Sequence, residues 1–276
     1  MEGLLVRIFI SGAAAATIAG MTSAQAQPAP EGWALTLGTG GLYSPSYEGD
    51  DDYSLKLLPN VQLKYGDRFF ASVQEGIGSN LVKTEGLRAG PIGRIRFSRD
   101  ESGDQTFSLS GGKTDDLRGL GNVDTSIELG GFVDYTLGGV KLSAELRQAI
   151  SGHDGLVADM GARWSGVWAG FGAPLIWSAG PRLRLVDDQY TSTYFGVTSA
   201  QAFASGLPQY EAGGGLHSYG VGATAILPLS RDGAWSAVFL AGYDRLSGDA
   251  ADAPLVRLRG DEDQATFGAF ISYTLQ

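Results

Sequence analysis

The sequence predicts an all-β fold, a transmembrane antiparallel barrel of about 12 strands within a range of 10–14. Three observations predict it: long segments that alternate apolar and polar residues, aromatic residues near the ends of these segments, and an N-terminal segment typical of secreted proteins. The 276 residues include no cysteine, so disulfides cannot stabilise the chain after export. The formal net charge of −10 argues against nucleic acid as a partner.

Residues 1–26 are predicted to be a secretory signal peptide, and residues 27–276 a single outer-membrane barrel domain. Arg7 precedes an apolar stretch that ends in Ser-Ala-Gln-Ala, where Ala24 and Ala26 occupy the −3 and −1 positions of a cleavage site. We expect cleavage near Ala26 and delivery to the outer membrane of a Gram-negative cell. An uncleaved membrane anchor is the alternative, but the apolar run is shorter than the ~20 residues of a spanning helix.

The alternation is longest in the segment 53–65. Its odd positions are apolar, with Tyr53 and Tyr65 at the ends, and most of its even positions are polar. Membrane strands need roughly 9–11 residues, whereas soluble strands usually have about 5–6. Pro59 removes one donor from the ladder and predicts a bulge. The same pattern predicts strands at 33–43, 53–65, 68–77, 87–97, 125–136, 139–150, 155–165, 167–178, 181–190, 215–227, 234–246 and 264–275.

An even number of strands places both ends of the barrel domain on the periplasmic side. The segment 98–124 is then a long connection, although 107–111 is strand-like and could form another hairpin. Tryptophan and tyrosine residues near the strand ends indicate girdles at the two membrane interfaces. A soluble barrel with ordinary strand aromatics is the alternative.

The first connection contains Glu48 and the run Asp50, Asp51 and Asp52. An EF-hand loop needs Gly at its sixth position and Glu at its twelfth, and counting from Asp50 finds neither. We therefore predict a solvated turn facing lipopolysaccharide, with loose association of divalent cations and no discrete metal site. Asp51 is expected to be dispensable for folding. The same outer rim is predicted to carry Asp249, Asp252, Asp261, Glu262 and Asp263.

The segments 47–53 and 57–81 resemble the opening motif of the MipA/OmpV family of outer-membrane proteins. The resemblance continues through the Gly-His-Asp-Gly turn and through the segments 188–210 and 243–256. The matching residues are Tyr47, Gly49, Asp51, Tyr53, Gly152, His153, Asp154, Gly155, Tyr194, Phe195, Gly196, Ser205, Gly206, Tyr210, Arg245, Gly248 and Asp249. Family members tend to end in Phe, whereas this chain has Leu275 followed by Gln276, which weakens the expected signal for the barrel-assembly machinery.

No enzyme and no cofactor are predicted. The two histidines, His153 and His217, have no neighbouring nucleophile in sequence, and His217 and Ser218 point to opposite faces of a strand. No H-E-x-x-H or G-x-S-x-G motif is present. His153 is interpreted as a hydrogen-bonded turn residue.

The strand pattern also predicts which charged residues face the lumen. They are Lys56, Lys64, Arg88, Arg94, Arg96, Lys141, Arg147, Arg163, Arg182, Arg184, Glu128, Asp134, Glu145 and Asp159. Two interpretations stay open: an internal network of ion pairs that fills a small barrel, or a narrow passage that prefers anions.

The resemblance implies a non-enzymatic scaffold that links a murein transglycosylase to a murein polymerase, with the connection 98–124 as the contact surface in the periplasm. A narrow solute channel and a surface adhesin or receptor are the alternatives, the latter through 191–214 and 247–263. The implied partners are the outer membrane with its lipopolysaccharide, the barrel-assembly machinery, and murein-synthesising and murein-cleaving enzymes.

Overall fold

The computed structural model describes residues 32–275, apart from 104–106, 111–113 and 171–172. The predicted signal peptide, its cleavage site at Ala26 and the final Gln276 lie outside the described residues. The strands are β1 (Trp33–Pro45), β2 (Tyr53–Tyr65), β3 (Phe69–Ser72), β4 (Gly76–Ser79), β5 (Val82–Lys83), β6 (Leu87–Arg96), β7 (Ser108–Ser110), β8 (Ser126–Leu137), β9 (Val140–Ala149), β10 (Leu156–Trp168), β11 (Leu175–Val186), β12 (Gly215–Pro228), β13 (Trp235–Leu246) and β14 (Asp263–Leu275). The helices are α1 (Asp188–Phe195), α2 (Ser199–Ser205), α3 (Gly248–Asp252) and α4 (Pro254–Arg259).

The strands form a closed antiparallel barrel. The hydrogen-bonded order is β1-β14-β13-β12-β11-β10-β9-β8-β6-β4-β3-β2, and β1 also pairs with β2, which closes the ring. Closure leaves the ring with no free sheet edge, as a bilayer requires. Twelve strands form this ring, while β5 pairs with β6 and β7 with β2. The predicted fold and strand number are confirmed.

The outer surface of the barrel is apolar because every second side chain of a strand points outward. Leu57, Leu129, Val221 and Ile271 are all exposed in the middle of their strands. Aromatic residues lie at both ends, for example Tyr43 stacked on Tyr53 and, at the opposite end, Trp33 against Tyr65, Trp235 against Tyr273. Such an apolar band between aromatic girdles is typical of outer-membrane barrels. Among the described residues, no helix is long and apolar enough to cross a membrane.

The prediction of one strand over 68–77 is wrong. The chain forms the hairpin β3–β4 there, and Gly76 takes a φ of +81°, a conformation that glycine adopts easily. The prediction of two strands at 167–178 and 181–190 is also wrong, since β10 runs on to Trp168 and β11 is a single strand over Leu175–Val186. The two errors cancel in the strand count.

The two errors in the strand assignment do not cancel in the topology, because the missed turn reverses the direction of the strands that follow it. The connection 98–124 therefore lies at the same end as the first acidic turn, and its assignment to the periplasmic side is wrong. Its residues Leu117 and Leu120 pack in one hydrophobic cluster with Tyr47. The strand-like segment 107–111 contains the short strand β7, which pairs with β2, and the further hairpin stays a prediction.

The two ends of the barrel differ in the length of their connections. One end, the terminal end, carries the start of β1, the end of β14 and short turns. The other end carries connections that fold together into what we call the lid, the described residues of 46–52, 97–125, 187–214 and 247–262. Long connections are extracellular in bacterial barrels. The lid therefore faces outward and the terminal end faces the periplasm.

One part of the wall is thin. The hairpin β3–β4 spans only half the height of its neighbours, and β4 pairs with β6 at only two positions, Ile77 with Gly93 and Gly78 with Ile92. Nearer the lid, β2 pairs with the short strand β7 instead. We call this region the seam.

Candidate functional site

The lid forms a small domain-like layer over the lumen. One hydrophobic cluster unites all four of its connections through Tyr47, Leu117, Val197, Leu207 and Leu255. A second cluster packs α1, α3 and α4 against the strand ends. Burial of this apolar surface is the main force that holds such connections together. The lid is therefore a packed layer that closes the outer end of the barrel.

Local sequence explains why the lid helices begin where they do. The Asp187 side chain accepts a hydrogen bond from the backbone N–H of Tyr190 at the start of α1. Thr198 and Gln201 form a reciprocal capping box at the start of α2, and Gly206 ends that helix with a φ of +78°. Pro254 occupies the first turn of α4, where its missing N–H costs nothing.

Glu48 reaches down from the first turn of the lid into a set of polar partners. Its carboxylate accepts a hydrogen bond from the Tyr190 hydroxyl at 2.8 Å and lies 3.0 Å from His217 Nε2. The Arg184 guanidinium is 3.6 Å away. Burial alone would raise the pKa of Glu48, but His217 and Arg184 hold it well below its usual value. The prediction that Glu48 lies on the outer rim is therefore wrong.

A second carboxylate, Glu128, organises the neighbouring part of this layer. Arg147 Nε donates to Glu128 at 2.7 Å, and Arg96 Nε donates to its other oxygen at 3.0 Å. His153 Nε2 lies 3.0 Å from the same oxygen, while its Nδ1 accepts from the N–H of Gly155 at 3.0 Å. An accepting Nδ1 fixes the neutral tautomer with the proton on Nε2.

Asp159 joins the two halves of the network. Arg184 Nε and Arg147 Nη2 each donate to it at 2.8 Å. Tyr190 lies between the rings of His153 and His217, with ring centroids 5.0 and 5.3 Å apart. We call the set Glu48, Arg96, Glu128, Arg147, His153, Asp159, Arg184, Tyr190 and His217 the network. Its groups serve mainly as partners for one another, which suits a rigid connection between lid and wall.

A cavity of about 1150 Å³ lies in the lumen beneath the lid. Tyr47 and Glu48 form part of its roof, and Lys141 and Arg163 line it nearer the terminal end. Of the charged residues predicted to face inward, ten line this cavity: Lys56, Arg88, Arg94, Asp134, Lys141, Glu145, Asp159, Arg163, Arg182 and Arg184. Lys64, Glu128 and Arg147 are buried in the barrel, and Arg96 lines a smaller pocket under the lid.

Most of the inward charges pair along the inner wall, between strands that are adjacent or one strand apart in the ring. Arg94 donates twice to Glu145, at 2.6 and 2.8 Å, and Arg182 Nε donates to Asp244 at 2.7 Å. Asp134 pairs with Arg88 and with Lys141, the latter at 2.9 Å. Of the two interpretations left open by the sequence, this geometry favours the network of internal ion pairs.

The acidic turn is only partly solvated. Asp51 and Asp52 are exposed as predicted, but Asp50 is 0% exposed, so the prediction of a solvated turn is wrong for that residue. Burial raises the pKa of Asp50 to about 7, and the nearby carboxylates of Asp52, Asp116 and Asp51 add to the rise. Asp116 comes from the connection 97–125, about 65 residues along the chain.

The family model described as MltA-interacting protein MipA matches residues 37–275, nearly the whole described chain. The chain belongs to the MipA family. Family membership and an apolar band around a closed barrel place the protein in the outer membrane. Comparison with curated proteins finds no match to this chain.

Three solved structures are similar to this member of the MipA family. One is described as a bacterial polysaccharide outer membrane secretin, 10% identical, covering 89% of this chain and 99% of that chain with a TM-score of 0.42. LpxR from Salmonella typhimurium is 14% identical, covering 83% and 76% with a TM-score of 0.40. A variant of OccD1 (OprD) is 11% identical, covering 91% and 97% with a TM-score of 0.34.

The residues that carry the MipA resemblance gather at the outer end of the barrel. In the lid or directly beneath it lie Tyr47, Gly49, Asp51, Gly152, His153, Asp154, Gly155, Tyr194, Phe195, Gly196, Ser205, Gly206, Tyr210, Gly248 and Asp249. Two others lie on adjacent strand ends, where Tyr53 accepts from Ala265 N–H at 3.0 Å and Arg245 pairs with Asp263 at 2.7 Å. The sequence motifs of this MipA protein therefore describe its lid more than its wall.

Sequence reasoning missed Tyr190, and it did not connect Glu48 with His217. Tyr190 lies 142 positions after Glu48 and His217 lies 169 positions after it, so no local spacing links either residue to Glu48. The sequence placed Tyr190 at the end of the strand predicted over 181–190, among the girdle aromatics, and this is wrong because the residue lies fully buried in α1.

Proposed function

We propose that this protein is a non-enzymatic scaffold, cleaved near Ala26, which holds a murein-cleaving enzyme at the periplasmic face of the outer membrane. The observation that carries the proposal is the closed outer end, where a packed lid and an ion-paired network fill the mouth of the barrel. A barrel closed in this way offers its periplasmic turns as the accessible surface. The family description, an interacting partner of MltA, fits that arrangement.

The proposed contact surface is the terminal end, in place of the connection 98–124. Its turns expose the charged residues Asp67, Arg68 and Arg231. Next to them, Leu81 and Leu137 are exposed at the strand ends. Apolar residues ringed by charges are the usual composition of a protein contact.

The network supports a scaffold over an enzyme. His153 uses both ring nitrogens, one towards Glu128 and one towards the Gly155 N–H. His217 Nε2 faces Glu48, and its Nδ1 is buried away from the cavity. A general base must reach the proton that it removes, and these nitrogens are occupied or enclosed.

Site-specific photocrosslinking in intact envelopes tests the proposal. A crosslinking residue at Asp67 or at Arg231 should capture a murein-cleaving enzyme, and the same residue at Asp51 in the lid should not. Capture from the lid position alone, or from neither end, would contradict the scaffold.

Planar-bilayer recording tests the alternative of a channel. The closed lid predicts no steady conductance at any voltage. A stable conductance in the native protein would favour the solute channel, with the cavity beneath the lid as its path.

A surface adhesin or receptor is a second candidate, and one residue favours it. Phe203 on α2 is 93% exposed on the outer face of the lid. Large apolar side chains exposed on an ordered surface often mark contacts. Substitution of Phe203 by Ser should reduce attachment of whole cells to a surface if this candidate is correct, and should leave it unchanged if the scaffold is the whole function.

A further inference from the structure

Three carboxylates meet where two connections of the lid touch. Asp50 and Asp51 belong to the first turn and Asp116 to the connection 97–125, and each offers an oxygen within 4.8 Å of the others. Among the ion pairs of the described residues, none involves these three side chains. Like charges at this separation repel one another, and a cation between them would remove that repulsion.

The burial of Asp50 is an independent sign that something is bound. The side chain is 0% exposed, and its Oδ2 has no hydrogen-bond partner within the part of the chain that the structure describes. Its other oxygen accepts from the N–H of Asp52 at 3.1 Å. Proteins rarely bury a carboxylate oxygen without a partner, because its lost hydration is not replaced.

The neighbouring groups hold the carboxylates in position. Thr114 Oγ1 donates to Asp116 Oδ2 at 2.6 Å and accepts from the Asp116 N–H at 3.1 Å. That contact leaves Asp116 Oδ1 available. Asp51 is exposed, so the cluster is open to solvent on one side. An ion could enter there and keep water molecules as its remaining ligands.

We propose that Asp50, Asp51 and Asp116 bind one Ca²⁺, which ties the first turn of the lid to the connection 97–125. Calcium takes oxygen ligands at about 2.3–2.6 Å in a flexible geometry, so two oxygens that lie within 4.8 Å of each other can bind the same ion. Magnesium demands a near-octahedral geometry and gives up its water molecules reluctantly. Three carboxylates from two connections therefore suit the flexible coordination of Ca²⁺ better. A single discrete site replaces the loose association predicted from the sequence.

Linear motif reasoning could not find this site. The EF-hand test compares positions along one loop, whereas Asp116 reaches the cluster from a different connection. The proposal does not depend on the scaffold function, since the ion would stabilise the lid of a scaffold, a channel or an adhesin alike.

Calorimetric titration of the full chain in detergent, after removal of metals with a chelator, tests the proposal. We expect one saturable Ca²⁺ site with a dissociation constant of about 10⁻⁴–10⁻³ M, as in other extracellular calcium modules. Asp116→Asn should weaken binding at least about tenfold, because it removes one of three charged ligands. The matched control is Asp52→Asn, which removes a neighbouring charge but no ligand, so it should weaken binding clearly less than Asp116→Asn does.

A second variant separates loss of the ion from loss of the fold. Asp50→Asn removes the buried charge, so without metal its melting temperature should equal or exceed that of the parent, and added Ca²⁺ should no longer raise it. Heat-modifiable gel mobility checks that each variant is folded. Binding that never saturates, binding unaffected by Asp116→Asn, or no heat at concentrations about tenfold above the expected range would each overturn the proposal.

Discussion

The lid and the terminal end close the same barrel with very different amounts of structure. At the terminal end, β8 and β9 are joined by the two residues 138–139, and little is buried. At the lid, the connection 187–214 contains two helices and places Tyr190 in a fully buried position. The wall between them repeats one pattern of outward apolar and inward polar residues.

This difference indicates which positions should tolerate substitution and which should not. A lipid-facing position such as Leu129 needs only to be apolar and to fit the strand. A network position such as Arg147 must match three carboxylates at once. Substitutions at the lid end should therefore cost more stability than similar substitutions at the terminal end, and the following four predictions test that contrast.

The largest effect is expected for Arg147→Ala. Arg147 is 2% exposed and pairs with Glu128, Glu145 and Asp159, so its removal takes a partner from three carboxylates at once, and Glu128 among them is itself buried. The free energy of unfolding should fall by about 3–5 kcal/mol, measured by denaturant titration in detergent or liposomes. The terminal-end control Lys83→Ala breaks a half-exposed pair with Asp67 and should cost about 0–1 kcal/mol. Equal losses in the two variants would contradict the contrast.

A smaller loss is expected for Gly155→Ala. A Cβ at this position would lie 2.6 Å from the Tyr190 nitrogen and from Asp187 Oδ1, the two atoms that cap α1. The start of α1 must shift, at a cost of about 1–3 kcal/mol. The terminal-end control is Gly139→Ala, whose Cβ would meet only Ser165 O at an ordinary 3.6 Å. If the melting temperature falls more in Gly139→Ala than in Gly155→Ala, the lid is less tightly packed than the structure indicates.

The hydroxyl of Tyr190 should contribute a further, smaller amount. Tyr190→Phe keeps the ring between the two histidines but removes the donor to Glu48 at 2.8 Å. We expect a loss of about 1–2 kcal/mol in the free energy of unfolding, because the acceptor is charged. Faster cleavage of the lid by added protease would accompany it. Tyr219→Phe on the exposed wall is the matched control, and a loss there as large as in Tyr190→Phe would refute the role of the hydroxyl.

The smallest effect is expected at the terminal end. Asp67 pairs with Lys83, and both side chains are about half exposed. Asp67→Asn should change the free energy of unfolding by no more than about 1 kcal/mol, and less as salt is added. A loss comparable to that of Arg147→Ala would show that the terminal end is as strongly coupled as the lid.

The sequence predicted the wall well and the lid poorly, for a physical reason. The alternation of apolar and polar residues in 53–65 indicates directly which face of the strand contacts lipid, and β2 has the predicted bounds. The turn after Ser72 was missed because Ala71, Val73 and Ile77 continue the alternation through it. A turn that reverses the chain changes the side of the connections that follow it, which is why 98–124 was assigned to the wrong end. The second error, two predicted strands in place of β11, restored the direction for the connections after β11.

The contacts of the lid depend on which connections meet after the ring has closed. Nothing near Glu48 in the sequence indicates His217, and nothing near Asp50 indicates Asp116. The sequence did show that the segments of the lid resemble a known family. This resemblance identified the segments but gave no information about how they contact one another. Contacts between distant loops have no period along the chain, so alternation cannot report them.

The seam has a consequence for how the wall moves. Most neighbouring strands of the barrel share ladders of nine or more paired positions, such as the eleven of β13 with β14, whereas β4 and β6 share two. Ile77 and Gly78 pair with β6 in the shortest ladder of the ring and with β3 in a ladder of only four positions. The amide protons of β4 should therefore exchange with solvent or interfacial water before those of Phe239 or Phe267. Thermal opening of the wall begins where the fewest bonds must break together. Across the seam, β2 and β6 have ladder partners over only part of their length among the described residues, so a sheet edge can form there transiently, and it faces the bilayer.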